Sequence, residues 1–212
     1  LVKPTTDFKS IADLKGRKIG VAGGPTDKGW LLIRQFAKTQ AGLDLTKDAE
    51  PVFAAPPLLN ELFERGSIDA LITYWHLAAV LKAQGARELI SLAEVTKRLG
   101  LDPDIPLLGY VYSEHWSLAR DRIAEKFYAA AQDAKRLLAE DDAAWTRLRP
   151  IMNTKSDRDF EMLKELYREG IPKTGNINDQ AVRDVFSVLA RDGGDDFTGK
   201  NATLASGIFS TP

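Results

Sequence analysis

The chain has no cysteine and only two histidines in 212 residues. Without cysteine there is no disulfide, no thiolate metal site and no cysteine nucleophile. Its two histidines, His76 and His115, stand apart, and no paired carboxylates fall at ligand spacing, so no metal-binding pattern is present. An excess of one charge is also lacking: 29 Lys and Arg face 30 Asp and Glu, a net of -1. That balance gives no electrostatic case for nucleic acid or an anionic membrane as partner. No apolar run approaches the roughly 18–20 residues of a membrane span. The chain opens Leu1-Val2-Lys3-Pro4, with neither an initiator Met nor a signal-peptide pattern. A processed or trimmed start is expected, with any address label outside it. Internal repeats and low-complexity segments are absent as well.

Apolar residues, in contrast, are plentiful. At 44% hydrophobic, the chain has material for a sizeable core in one large domain or two small lobes. Residues 11–24, IADLKGRKIGVAGG, read as a lead-in turn, a short buried strand (KIGVA) and a glycine turn. A helix follows over 27–41, with Trp30, Ile33, Ala37 and Ala41 on one face. Thr26 or Asp27 suits its N-cap, and Gly42 suits its stop. A second strand is expected at 50–54, where Pro51 suggests an edge position or a strand start. Pro56 and Pro57 open a helix that stops at Gly66. DALITY, 69–74, reads as a third strand, 77–84 as a helix, and RELISL, 87–92, as a fourth strand. Strand and helix thus alternate over 16–92, the signature of a parallel sheet with crossover helices.

The pattern changes after Leu92. Residues 93–106 read as a polar, Pro-bearing connection and 107–112, LLGYVY, as another apolar strand. Beyond it lie three helical stripes: Ile123, Phe127, Ala130, Ala134 and Leu137; Phe160, Leu163, Leu166 and Tyr167; Val182, Val185, Phe186 and Leu189. The Gly-, Asp-, Ser- and Thr-rich tail, 193–212, reads as loop.

Catalysis finds little footing. Ser91, Ser113 and Ser117 lack a nucleophile-elbow pattern. There is no Walker loop, and Gly23-Gly24 is not a dinucleotide fingerprint. Asp141-Asp142 and Asp195-Asp196 read as solvated surface. Glu114, His115 and Trp116 follow the 107–112 run and read first as a solvated cap region. A parallel sheet does, however, offer its strand carboxyl ends and helix starts as a place for a small ligand.

Three stretches carry a family likeness: IADLKGRKIGV, then GGPTDKGWLLIRQFAKTQAGLDL, then PVFAAPPLLNELFERGSIDALITYWHLAAVL. Together they resemble the substrate-binding proteins of bacterial ABC importers, the nitrate/sulfonate/taurine type in particular. LGYVYSEHW and its long helix resemble the return strand into lobe 1. The resemblance implies an α/β, type 2 periplasmic-binding-protein-like fold with two lobes and a cleft between them. It further implies that 16–106 form a complete lobe 2, while 1–15 and 107–212 form the remainder of an incomplete lobe 1. A non-enzyme follows: a periplasmic or lipid-anchored protein of a single copy. It would capture a small organic or anionic nutrient without cofactor or metal and deliver it to a membrane permease.

The residues expected at the cleft are Gly24, Pro25, Thr26, Asp27 and Lys28 in the first turn, Pro56 in the second, and Thr73, Tyr74 and Trp75 after the third strand. Each has a bland reading beside it: an ordinary capped turn, a proline helix start, and aromatic packing. Family members that bind sulfonates have a small hydroxyl-rich first turn, whereas this chain has Pro-Thr-Asp-Lys. Asp27 would repel an oxyanion and Lys28 would reverse that sign. Two other readings compete. One is the effector-binding half of a LysR-type regulator, which would need a helix-turn-helix upstream. The other is a protein for thiamin pyrimidine precursors, whose enzyme relatives carry a cysteine-rich motif that this chain lacks.

Overall fold

The computed structural model describes residues 1–120, 122–172, 178–200, 203–205 and 208–209. It divides into two compact units: Leu1–Ile105 with Asn178–Ile208, and Pro106–Ile177 with Phe209–Pro212.

The first unit is built on three parallel strands, β1 (Lys18–Val21), β2 (Glu50–Phe53) and β3 (Ala70–Ile72), in the order β2-β1-β3. Register pairs Val21 with Phe53 on one side and with Ile72 on the other. β2 is therefore an edge strand, and this is why it tolerates Pro51. Up to Ile105 the helices of this unit are α1 (Lys28–Ala41), α2 (Pro56–Arg65), α3 (Trp75–Ala83) and α4 (Leu92–Arg98). β1 is buried on both faces from Ile19 to Val21. Successive strand residues face opposite ways. Gly20 and Ala22 look toward Leu59, Phe63, Ile68, Leu71 and Leu81. On α1, Trp30, Leu31, Leu32, Phe36 and Ala37 are buried. α1 ends at Gly42 in the left-handed conformation (φ 63°), where glycine meets no side-chain penalty.

Three expectations fail here, each for a physical reason. Residues 87–92 form no fourth strand. Only Arg87 bridges, antiparallel to Val2, which itself bridges to Ala70 and so occupies the sheet edge. Ser91 then turns the chain into α4 by accepting from the Glu94 amide (3.0 Å), so 93–106 begins with a helix. The tail is not loop from Gly193 onward: the last helix runs to Thr198 with a break at Gly194 (φ 56°, ψ -152°). Of that tail, 201, 202, 206, 207 and 210–212 lie outside the described residues.

The second unit comprises α5 (Glu114–Leu118), α6 (Ile123–Glu140), α7 (Asp142–Leu148) and α8 (Asp157–Glu169). Trp145 is its centre, edge-on to Phe160 (6.5 Å) and Tyr167 (5.3 Å). The Trp145 Nε1 and the Arg168 Nε both donate to the Leu138 carbonyl, at 2.7 and 3.0 Å. Residues 107–112 form no strand, contrary to their composition. α9 (Asp179–Thr198) belongs to the first unit, where it packs on α1 and the Arg34 guanidinium donates to the Asp192 carbonyl (3.3 Å).

Candidate ligand site

Because β1, β2 and β3 are parallel, their carboxyl ends lie at one edge. Each leads through a short turn into a helix, so the starts of α1, α2 and α3 share that edge. Every sequence-expected site residue falls in one of these three turns or is the first residue of the helix that follows it. The alignment of turns is the site's architecture, but the three helix starts are not equivalent.

The first turn is tightly organised. The Ala22 amide donates to the Ile72 carbonyl (3.0 Å) and so extends the ladder one step past β1. Gly23 and Gly24 take φ of +91° and +86°, conformations that L side chains rarely adopt. Gly24, Pro25, Thr26 and Asp27 then close a turn, the Asp27 amide donating to the Gly24 carbonyl (3.1 Å), with proline in its favoured second position. Asp27 is the N-cap of α1: its carboxylate accepts from the Trp30 amide at 3.0 Å. A Cβ on Gly23 would sit 2.7 Å from the Asp27 Oδ2. The carboxylate therefore already occupies the positive end of α1. Thr26 and Lys28 are half-buried beside it, and Lys28 forms no ion pair among the described residues.

The second helix start is poor in donors for another reason. α2 begins Pro56-Pro57 after the uncapped Ala55, and neither proline carries an N–H. Two of the amides that a helix normally leaves open are missing.

The third start is different. No side chain caps α3 at Tyr74. Immediately before it, the Thr73 Oγ1 is buried and has no hydrogen-bond partner among the described residues. Tyr74 and Trp75 follow it in the chain and are 43% and 49% exposed, high for rings at the end of a buried strand. His76 stacks on Tyr74 (6.2 Å) and meets Trp75 edge-on (5.7 Å), fixing the ring cluster. Thr73, Tyr74 and Trp75 thus combine a donor without a partner with apolar contact surface.

One residue at this edge escaped the sequence reading. Phe53 closes β2, lies edge-on to Trp30 (6.1 Å) and remains 39% exposed. Its signal was its place directly before the turn at 54–56. Glu114, His115 and Trp116 form α5 of the other unit, capped by Ser113, whose hydroxyl accepts from the Trp116 amide (3.0 Å). Among the described residues no group of three His, Asp or Glu is placed to hold a metal ion, and no helix is long and apolar enough to cross a membrane.

A solved chain superposes on nearly all of this one. The alkanesulfonate-binding protein SsuA from Xanthomonas axonopodis pv. citri, bound to MOPS, matches 96% of this chain with a TM-score of 0.69 at 17% identity. The fold is that of a type 2 periplasmic binding protein. A second solved chain with this binding-protein fold, the periplasmic aliphatic sulphonate binding protein SsuA from Escherichia coli, matches 95% at a TM-score of 0.59 and 18% identity. In sequence, the chain is related to the putative aliphatic sulfonates-binding protein of Escherichia coli (strain K12), 35% identical over 91 residues. That match covers 42% of this chain and 27% of the relative. The chain spans 65% and 61% of the two solved binding proteins. No family model matches it.

Proposed function

We propose that the protein is the extracytoplasmic solute-binding component of an ABC importer, and that it captures a small organic or anionic nutrient of the sulfonate class for delivery to a membrane permease. The observation that carries this reading is the buried Thr73 hydroxyl without a partner, at the carboxyl edge of a parallel sheet and before an uncapped helix. A buried donor left unmatched costs about 1–3 kcal/mol, and a ligand oxygen would remove that cost. Tyr74 and Trp75 would contact the ligand's apolar part. Gly24, Pro25, Thr26, Lys28 and Pro56 would line the neighbouring turns. Asp27 would contribute by holding the first turn in shape, with its charge already engaged by the α1 amide. No covalent step is required: extra contacts in a closed state shift the open–closed balance. The relatives named as binding proteins support this reading over the regulator and thiamin-precursor alternatives.

The test is a thermal-shift screen of the chain against aliphatic sulfonates, taurine, nitrate and carboxylates. A ligand at a hundred times its Kd stabilises the folded state by about 2.7 kcal/mol. The expected result is a rise in Tm with a sulfonate that is lost in Thr73→Val, a substitution that keeps shape and removes the hydroxyl. A shift unaffected by Thr73→Val and Tyr74→Ala would move the site elsewhere. No shift with any sulfonate would remove the substrate class.

A further inference from the structure

The carboxyl edge of the sheet carries little charge. Apart from the His76 imidazole, residues 22–28, 54–57 and 73–76 hold two ionisable side chains of opposite sign, Asp27 and Lys28. Lys28 is the first residue of α1. In a helix each Cα–Cβ bond tilts toward the N-terminus, so the Lys28 stem runs back over this edge. Leu31 and Leu32, three and four residues on and so on the same face, are fully buried. Lys28 therefore stands on the packed side of α1, where α9 and α4 meet that helix, and it is itself half-buried. Among the described residues no carboxylate lies within ion-pair distance of its ammonium. Glu94 of α4 pairs with Arg98, and Asp195 and Asp196 of α9 stay exposed. The Lys28 turn and Thr73 follow neighbouring strands, and the Ala22 amide joins their ends by donating to the Ile72 carbonyl (3.0 Å).

An ammonium half out of water without a counter-ion is unfavourable, and an anion relieves it. The backbone offers no substitute cation at two of the three helix starts. Asp27 already caps α1, and Pro56-Pro57 remove two amides from α2. A neutral head group leaves the ammonium as it was. A doubly charged one fares little better. Attraction to a single cation grows in proportion to the ligand's charge, whereas the cost of taking that charge out of water grows as its square. The second negative charge also meets the Asp27 carboxylate, with no second lysine or arginine in these turns to pair it.

We propose that Lys28 is the charge-selecting residue of the ligand site: it pairs one negative charge, so that the site takes a singly charged head group and rejects neutral and doubly charged heads of the same shape. The Thr73 hydroxyl, at the end of the neighbouring strand, supplies a neutral donor to that head. This assignment rests on the ligand reading above and narrows it, from anions in general to monoanions such as a sulfonate, as distinct from a phosphonate.

The test is calorimetric titration of the chain with three ligands of one shape: ethanesulfonamide, ethanesulfonate and ethylphosphonate. In mildly alkaline buffer these carry no, one and two negative charges. Ethanesulfonate should bind about tenfold tighter than either of the others. Lys28→Met keeps the stem and removes the charge. It should weaken ethanesulfonate about tenfold, leave ethanesulfonamide unchanged, and remove most of the salt dependence of sulfonate binding. Lys28→Arg should restore most of the lost affinity. Asp27→Asn keeps a capping oxygen and removes the carboxylate charge, and should narrow the gap between phosphonate and sulfonate. Sulfonate binding that Thr73→Val removes and Lys28→Met leaves intact overturns this proposal alone. So does phosphonate binding as tight as sulfonate in the parent chain, or an equal loss of all three ligands in Lys28→Met. Binding of none of the three by the parent chain overturns it together with the ligand reading.

Discussion

At the scale of single residues, the first turn depends on two atoms that exclude each other. Gly23 is needed twice, for its φ of +91° and because the Asp27 carboxylate fills the space of a Cβ. Gly23→Ala should therefore cost about 1–3 kcal/mol, and Asp27→Ala, which removes only the cap, about 1 kcal/mol. In the double variant the Oδ2 contact is gone and only the tighter-than-usual Cβ contact of 3.1 Å is left, so the combined cost should be less than the sum of the two single costs, as urea unfolding of all four proteins would show. Additive costs would mean that the backbone angle alone makes Gly23 necessary. Carboxylates give a second prediction. The Lys9 and Ser10 amides donate to Asp13 and hold its carboxyl below the ordinary 3.8. Hydrogen bonding from Arg168 does the same for Asp142, helped by Lys164 nearby. A carboxyl lowered by folding adds stability above its unfolded value and loses it as pH falls through the folded one. Urea midpoints should accordingly hold from pH 7 down to about 4 and fall below it. Asp13→Asn should flatten part of that fall, and an unchanged acid profile would remove Asp13 from the account.

Elements obey packing more than propensity. Gly20 lies mid-strand, where glycine is weak by propensity, yet a Cβ there would meet Ile68 Cδ1 at 2.5 Å and Leu71 Cδ1 at 3.0 Å. It lets the Leu59 and Leu71 side chains close against β1. Gly20→Val, although a better strand former, should destabilise by about 1–3 kcal/mol through overpacking, measured by the chemical denaturation midpoint. A stabilised variant would show that propensity outweighs contact here. The same lesson explains which elements were legible. β1, α1, β2, α2, β3 and α3 have apolar periodicity with glycine or proline punctuation, and local signals sufficed for them. The 87–92 and 107–112 runs carry equally good strand composition and form none. A strand exists only where another strand pairs with it, and composition says nothing of the partner. Among the described residues Arg87 bridges only to Val2, a residue 85 positions away in sequence whose role no local pattern announced.

For the whole molecule, the two units differ in how much they bury. In the first, the core includes Ile19, Val21, Trp30, Leu31, Leu32, Phe36, Leu59 and Leu71, each nearly inaccessible to water. In the second, Trp145 and Phe160 carry most of it. Buried apolar surface is the main source of stability, at about 25 cal/mol per Å², so the second unit should open first. Native-state hydrogen exchange should give α7 and α8 amides a lower opening free energy than those of β1 and α1. A single shared opening energy would instead make the chain one cooperative unit.

Sequence alone determined the alternation of strand and helix from β1 to α3, over 18–83, the capped turn at Gly23 to Asp27, and with them a parallel sheet that presents its turns at one edge. These follow from local rules: side-chain periodicity, glycine's freedom at positive φ, and the N-cap hydrogen bond. It also supplied the expected fold class, which the solved chains match. Tertiary structure decided which helix start has donors to offer. Asp27 and Pro56-Pro57 could be read from the chain, but that the Thr73 hydroxyl is buried without a partner required the packing around it. It likewise decided that 107–112 forms no strand among the described residues and that α9, after the helices of the second unit, packs on α1. Burial and pairing depend on residues distant in sequence, and only the folded chain brings those together.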